Sequence, residues 1–200
     1  MKYLLALASL VALAGSSAFA AEKQFQIVSE KLSYRNVATV ESESEFETFT
    51  GRTSNVTGAL NFDPATRKGS GKIVIDVATI DTGIALRNEH MRGEGWMNSA
   101  KFPTIVFETT RVERQSGDNY KVTGKLTLHG ITKTVSTTAR VRYRAAGPET
   151  KQAGFEGDVL QISSKFNIKL SDYGITVPAN IKSKVSNEVT LGISAYALAK

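Results

Sequence analysis

The chain contains no cysteine, which removes disulfides, thiolate metal centres and thiol nucleophiles together. Only two histidines are present, His90 and His129, and they lie far apart in the sequence. A zinc site wants three or four ligands at close spacing, so two isolated imidazoles make a poor one. Long apolar runs are also missing after the first twenty residues, which leaves no later segment suited to a membrane-spanning helix. No extended stretch carries helical periodicity, and no glycine-rich loop follows a strand and opens a helix, so a nucleotide-phosphate cradle has no support. Lysines and arginines give a net charge of +6 but are scattered rather than bunched, which argues against a nucleic-acid partner.

The first apolar run does have a reading. MKYLLALASLVALAGSSAFA opens on Lys2, continues through apolar residues from Tyr3 to Ala14 and closes on Ala18-Phe19-Ala20. That is the layout of a cleavable export signal, too short to anchor the chain. The expectation is cleavage after Ala20, a mature domain over residues 21–200, a periplasmic location and no stable membrane insertion.

Within that domain the dominant period is two. Ile73, Ile75 and Val77 alternate with Lys72, Asp76 and Ala78. Tyr120, Val122, Leu126 and Leu128 alternate with Lys121, Thr123, Lys125 and Thr127. The same holds for Val135 to Tyr143, for Leu160, Ile162, Phe166, Ile168 and Leu170, for Val189 to Ala195, and for Val56, Leu60 and Phe62. Further strands are expected near Phe25–Val28, Leu32–Val40, Thr104–Val112 and Glu45–Thr50. Turn residues separate the runs, among them Asp63-Pro64, Gly117-Asp118-Asn119 and a tight reversal at His129-Gly130. The acidic run Glu41–Glu45 reads as a solvated loop or edge.

Strands with one apolar and one polar face belong to an antiparallel sheet that is wet on one side. No helix is available to cover the dry side, so the sheet packs on another sheet or closes on itself. Long strands and short connections favour an up-and-down barrel of about eight strands, whose interior is either filled or holds one small guest. Small residues at Gly58, Gly124, Gly157, Gly192, Ala139 and Ser164, in register with bulky neighbours, favour a hollow interior.

Asp81–Pro103 breaks the pattern: it gathers Ile84, Leu86, Met91, Trp96, Met97 and Phe102 among Arg87, Glu89, Arg92 and Glu94. Only Ile84–Met91 suggests a couple of helical turns. Large apolar side chains each lose roughly 1.5–3 kcal/mol if left in water, so this long connection is expected to fold over a barrel mouth. It either seals the core or also touches a guest. Arg87 and Arg92 either meet a polar headgroup at the rim or pair with Glu89 and Glu94. His90 and His129 read as anchor and turn residues, and Asp63, beside a proline, reads as a turn residue rather than half of a catalytic pair with Asp76.

Several local words resemble the YceI-like family of exported, lipocalin-like polyisoprenoid-binding proteins. They are GALNFDP (Gly58–Pro64), IDVATIDTG (Ile75–Gly83), LRNEHMR (Leu86–Arg92), KFPTIVFETT (Lys101–Thr110), GKLTLHGITKTV (Gly124–Val135), LSDYGI (Leu170–Ile175) and VSNEVTLGI near the end. The likeness covers almost the whole mature chain. It departs at Asn88, where relatives often carry an Asp, at Leu170, where they tend to carry an Arg, and near Ser29, where the usual first-strand His has no counterpart.

The resemblance implies an all-β, antiparallel, eight-stranded lipocalin-like barrel with a short helical lid, no catalysis and no cofactor. It implies a long-chain isoprenoid, of quinone or polyprenyl type, or a similar lipid held in an apolar bore; a homodimer is compatible with it. The candidate contacts are Leu60, Phe62, Ile73, Ile75, Ile105, Phe107, Leu126 and Phe166 along the bore. Leu86, Arg87, Met91, Arg92, Trp96 and Phe102 are candidates from the lid, and Tyr173 from the LSDYGI word. The competing reading is a filled barrel acting through its outer surface, as an interaction or stress-response protein without a ligand.

Overall fold

The computed structural model describes residues 22–28 and 32–200; the leader assigned to residues 1–20 lies outside them. Ten strands form one antiparallel sheet: β1 (Lys23–Ile27), β2 (Val37–Glu43), β3 (Thr48–Thr53), β4 (Val56–Asp63), β5 (Lys68–Asp76), β6 (Thr104–Arg114), β7 (Asn119–Leu128), β8 (Ile131–Arg144), β9 (Val159–Lys169) and β10 (Glu188–Ala199). The spatial order is β1-β4-β5-β6-β7-β8-β9-β10-β2-β3, and β1 also pairs with β10. Eight strands, β1 and β4 to β10, therefore close a ring, while the β2–β3 hairpin continues from β10 beside the seam. This is the closed antiparallel barrel expected from the alternating pattern.

Burial alternates as the sequence does. Along β7, Tyr120, Val122, Gly124, Leu126 and Leu128 are buried, whereas Lys121 and Lys125 are exposed. The β7–β8 hairpin turns on His129 and Gly130, both at positive φ (50° and 75°), as a two-residue reversal matched to strand twist requires.

The seam lies where β10 changes partners. Val189–Ser194 pair with β2, whereas Ala197–Ala199 pair with β1. Between them Tyr196 would lose its ladder partner, and Asn36 supplies one: its Oδ1 accepts from Tyr196 N at 3.0 Å, and its Nδ2 donates to the Val28 carbonyl at 2.5 Å. Asn36 is fully buried. The expected strand at Leu32–Val40 accordingly begins only at Val37, because Ser33–Arg35 form a 3-10 turn that delivers Asn36 to the seam. Glu41–Glu43, read as loop or edge, lie within β2, and the expected Glu45–Thr50 strand is displaced to β3.

Two apolar clusters stack along the barrel axis. One gathers Phe25, Leu60, Phe62, Tyr120, Val141 and Leu160; the other gathers Ile80, Ile105, Leu126, Ile168, Tyr173 and Ile175. At the first end, Asp158 accepts from Lys23 Nζ at 2.5 Å, from Tyr143 Oη at 2.8 Å and from Ala146 N at 2.7 Å, tying β1 to the β8–β9 connection. The hydrogen bond from Lys23 is the chief reason the Asp158 carboxyl is held below its ordinary pKa. At the second end sit helix α1 (Ala85–Arg92) and the long β9–β10 connection. A short helix α2 (Pro148–Gln152), which the sequence did not suggest, follows β8.

Asn36→Ala leaves the Tyr196 N–H and the Val28 carbonyl without their side-chain partner at a fully buried seam. We expect it to lower unfolding free energy by about 2–3 kcal/mol in a urea titration. A loss within about 0.5 kcal/mol would mean that the seam does not depend on Asn36.

Candidate ligand-binding site

An interior cavity of about 150 Å³ runs along the barrel axis and touches both apolar clusters. Leu126 and Tyr120, six residues apart on β7, both line it, so with strands tilted about 40° to the axis it extends about 15 Å along the barrel at ~3.4 Å per residue. Among the described residues no charged side chain lines it. The hydroxyls on its wall are mostly occupied by one another or by backbone. Thr137 and Ser164 lie 2.9 Å apart, Thr109 accepts from Gly71 N at 2.7 Å, and Thr53 meets Thr79 at 2.7 Å.

Eight of the fifteen sequence-derived contacts line this cavity: Leu60, Phe62, Ile73, Ile75, Ile105, Phe107, Leu126 and Phe166. They are the inward positions of β4, β5, β6, β7 and β9, where the period of two was plain. The other seven do not line it. Leu86 is 60% exposed on the outer side of α1. Met91 and Trp96 pack, half-buried, against the second cluster. Phe102 rests edge-on against His129, with ring centroids 4.7 Å apart. Tyr173 is buried within the second cluster beneath the barrel end. Among residues 77–103 the cavity wall includes only Ile80.

The two lid arginines point elsewhere than the bore. Arg87 pairs with Glu47 of the β2–β3 hairpin, not with Glu89 or Glu94, and its guanidinium sits 4.2 Å from the Phe49 ring centroid. Arg92 donates to the Ile80 carbonyl at 3.0 Å. Asn88 accepts from Thr82 N at 2.8 Å and donates to Asp81 at 2.6 Å, a role an Asp at that position would fill only by setting two carboxylates together. That bond leads the interactions holding the Asp81 carboxyl below its ordinary pKa. A backbone bridge between Arg52 and Asp81 fastens the same segment to β3. The lid is thus laced to the hairpin by polar contacts and to the barrel end by apolar ones.

Sequence reasoning missed a second cover. The β9–β10 connection buries Leu170, Tyr173, Ile175 and Val177 in the second cluster, more deeply than any residue of α1. The signal was present in the apolar alternation of Tyr173, Ile175 and Val177. His129 joins both covers: its Nδ1 donates to the Tyr173 carbonyl at 3.0 Å while its ring receives Phe102. His90 is exposed on α1. Asp63 is engaged by Ala65 N and the Thr66 hydroxyl, and Asp76 by Ala78 N, so each carboxylate serves its own turn. Among the described residues no cluster of three or more potential metal ligands occurs, and no helix is long and apolar enough to cross a membrane.

Of the small residues read as making room, Ala139, Ser164 and Gly192 line the cavity. Gly124 faces inward but lies under the Phe107 ring, so a Cβ there would clash. Gly58 abuts the Lys72 carbonyl at a φ of 149°, relieving strain at a bend rather than opening space. Gly157 lies outside the strands, in the connection before β9.

The structure is that of a closed eight-stranded antiparallel barrel, a class whose interior is either filled by side chains or wide enough for one small guest, here with an elongated apolar bore and a laced lid. Comparison with known proteins narrows the class: residues 26–197 match the YceI-like domain, and the chain belongs to that family. A UPF0312 protein of Yersinia pestis (strain Pestoides F) is 36% identical over 148 residues, covering 72% of this chain and 70% of the relative. A UPF0312 protein of Pseudomonas paraeruginosa is 34% identical over 146 residues, 72% of this chain and 71% of the relative. The fold is shared with Burkholderia cenocepacia BcnA (TM-score 0.69, 23% identity, 82% of this chain and 97% of that one). It is also shared with the Campylobacter jejuni YceI protein (TM-score 0.62, 22% identity, 75% and 84%).

An ion pair with side chains 22% and 35% exposed contributes at most about 1 kcal/mol, and a stacked arginine about as much again. Arg87→Ala is therefore expected to loosen the lid without unfolding the barrel. Acrylamide quenching of Trp96, the sole tryptophan, should rise about twofold while the thermal midpoint moves by a few degrees at most. Unchanged quenching would show that the Arg87 contacts do not hold the lid.

Proposed function

We propose that this protein binds an elongated amphipathic lipid, of isoprenoid or similar long-chain type, in the barrel bore, and carries or sequesters it in the periplasm without chemical change. The observation that carries the reading is the cavity itself. Leaving about 150 Å³ empty in an apolar core forgoes about 3–4 kcal/mol at ~24 cal/mol per Å³. That is a large share of the roughly 5–15 kcal/mol by which a domain is stable. A barrel serving only as an outer surface has no use for such a cost, since larger residues at Ala139 or Ser164 remove it. Burial of an apolar guest recovers it.

Shape and lining support the ligand class. An uncharged wall about 15 Å long suits one extended apolar chain, and burial contributes about 0.8 kcal/mol per methylene. A round cavity of this volume accepts a benzene-sized guest. A chain of several prenyl units therefore needs the rings at Phe107 and Phe166 to swing outward as it enters. The export signal expected at residues 1–20 supports a periplasmic location. Binding without catalysis is supported by the two histidines, one exposed on α1 and one committed to a backbone carbonyl.

Ala139 on β8 and Ser164 on β9 face each other across a strand pair and both line the cavity. Ala139→Leu and Ser164→Phe each place bulk in the channel, so uptake of a prenyl quinone by delipidated protein should fall at least tenfold in a fluorescence titration. The fold, followed by circular dichroism, should persist. Full uptake by both variants would put the guest elsewhere and sink the reading.

A further inference from the structure

Among the residues lining the cavity, one buried side-chain polar atom has no partner. The Tyr120 hydroxyl is fully buried, and it has no hydrogen-bond partner among the described residues. Other tyrosines of the barrel contrast with it: Tyr143 donates to Asp158 at 2.8 Å, and Tyr196 accepts from Gln161 at 3.0 Å. Tyr120 is not held there by its hydroxyl, since that group has no partner while the Phe62 ring packs edge-on against it and its ring belongs to the first apolar cluster. A phenylalanine would satisfy that packing. An orphaned hydroxyl in a dry wall is unfavourable on its own and becomes favourable once an acceptor is brought to it.

We propose that Tyr120 is an internal hydrogen-bond donor for the guest, selecting an apolar chain that carries a neutral carbonyl oxygen at or near one end. The inference rests on the carrier reading and adds to it both a chemical requirement and a direction. Tyr120 is the second residue of β7, just past the β6–β7 turn, whereas the lid and the β9–β10 cover lie at the other end of the same strand. The carbonyl therefore sits at the end of the bore far from the lid, and the chain runs back toward the lid. Neutrality follows from the lining. Among the described residues no lysine or arginine lines the cavity, so a carboxylate or phosphate at this depth would be buried without a counter-charge from them. Ketone, ester or quinone carbonyls meet the requirement; a plain hydrocarbon fits the space but leaves the hydroxyl unpaired.

The test compares a long-chain ketone and the alkane of equal length as probes, titrated into delipidated wild-type protein and Tyr120→Phe. Wild type should prefer the ketone, and Tyr120→Phe should lose about three- to tenfold in ketone affinity with alkane affinity unchanged. The carbonyl stretching band of the bound ketone should lie at lower frequency in wild type than in the variant, a readout that packing alone does not move. Unliganded Tyr120→Phe should be as stable as wild type or more so. Equal affinities for ketone and alkane in wild type, or a lower thermal midpoint for the unliganded variant, would overturn the donor role while leaving the carrier reading intact. Failure of wild type to bind either probe would overturn the carrier reading, and this inference with it.

Discussion

Everything in this molecule follows from a sheet that is dry on one side and has nothing to cover it. The strands bury alternate residues, and the two α-helices, Ala85–Arg92 and Pro148–Gln152, are far too short to shield such a surface. Closure is the remaining solution. It is made at β10, the one strand that hands its hydrogen bonds from β2 to β1, with Asn36 bridging the change of partner. A single buried amide thereby lets the ring close where a continuous ladder fails, and the enclosed volume that results is the candidate site.

The barrel ends then have to be sealed, and the two ends are sealed differently. At one end Asp158 gathers Lys23, Tyr143 and Ala146 in a polar clasp. At the other, Tyr173, Ile175 and Val177 form an apolar floor over which the α1 segment lies, fixed to the hairpin by Arg87 and to the backbone by Arg92. The lid makes few deep contacts with the bore, Ile80 apart.

The barrel was legible because period two is a local property. Any strand such as Tyr120–Leu128 declares its inner face without knowledge of its neighbours, and for that reason eight positions that line the cavity could be named from the sequence. The lid contacts were not, because their partners are distant in sequence. Arg87 meets Glu47 forty residues upstream, whereas the sequence pointed to a headgroup at the rim or to the nearby Glu89 and Glu94. Trp96 and Phe102 were rightly read as needing burial, but which surface they cover depends on the β9–β10 connection. Asn36 gave no signal at all, since a lone asparagine before a strand has many ordinary uses. Tyr120 was placed on the inner face by periodicity, while the lack of a partner for its hydroxyl is a property of the closed barrel alone.

The central claim is that the bore exists to be occupied. Native mass spectrometry of protein recovered from its own periplasm, before and after organic extraction, tests it most directly. The account predicts a bound species of several hundred daltons in one-to-one ratio that extraction removes, leaving a folded protein of lower thermal midpoint. A protein that emerges at its bare mass, with a midpoint that extraction does not change, would contradict it.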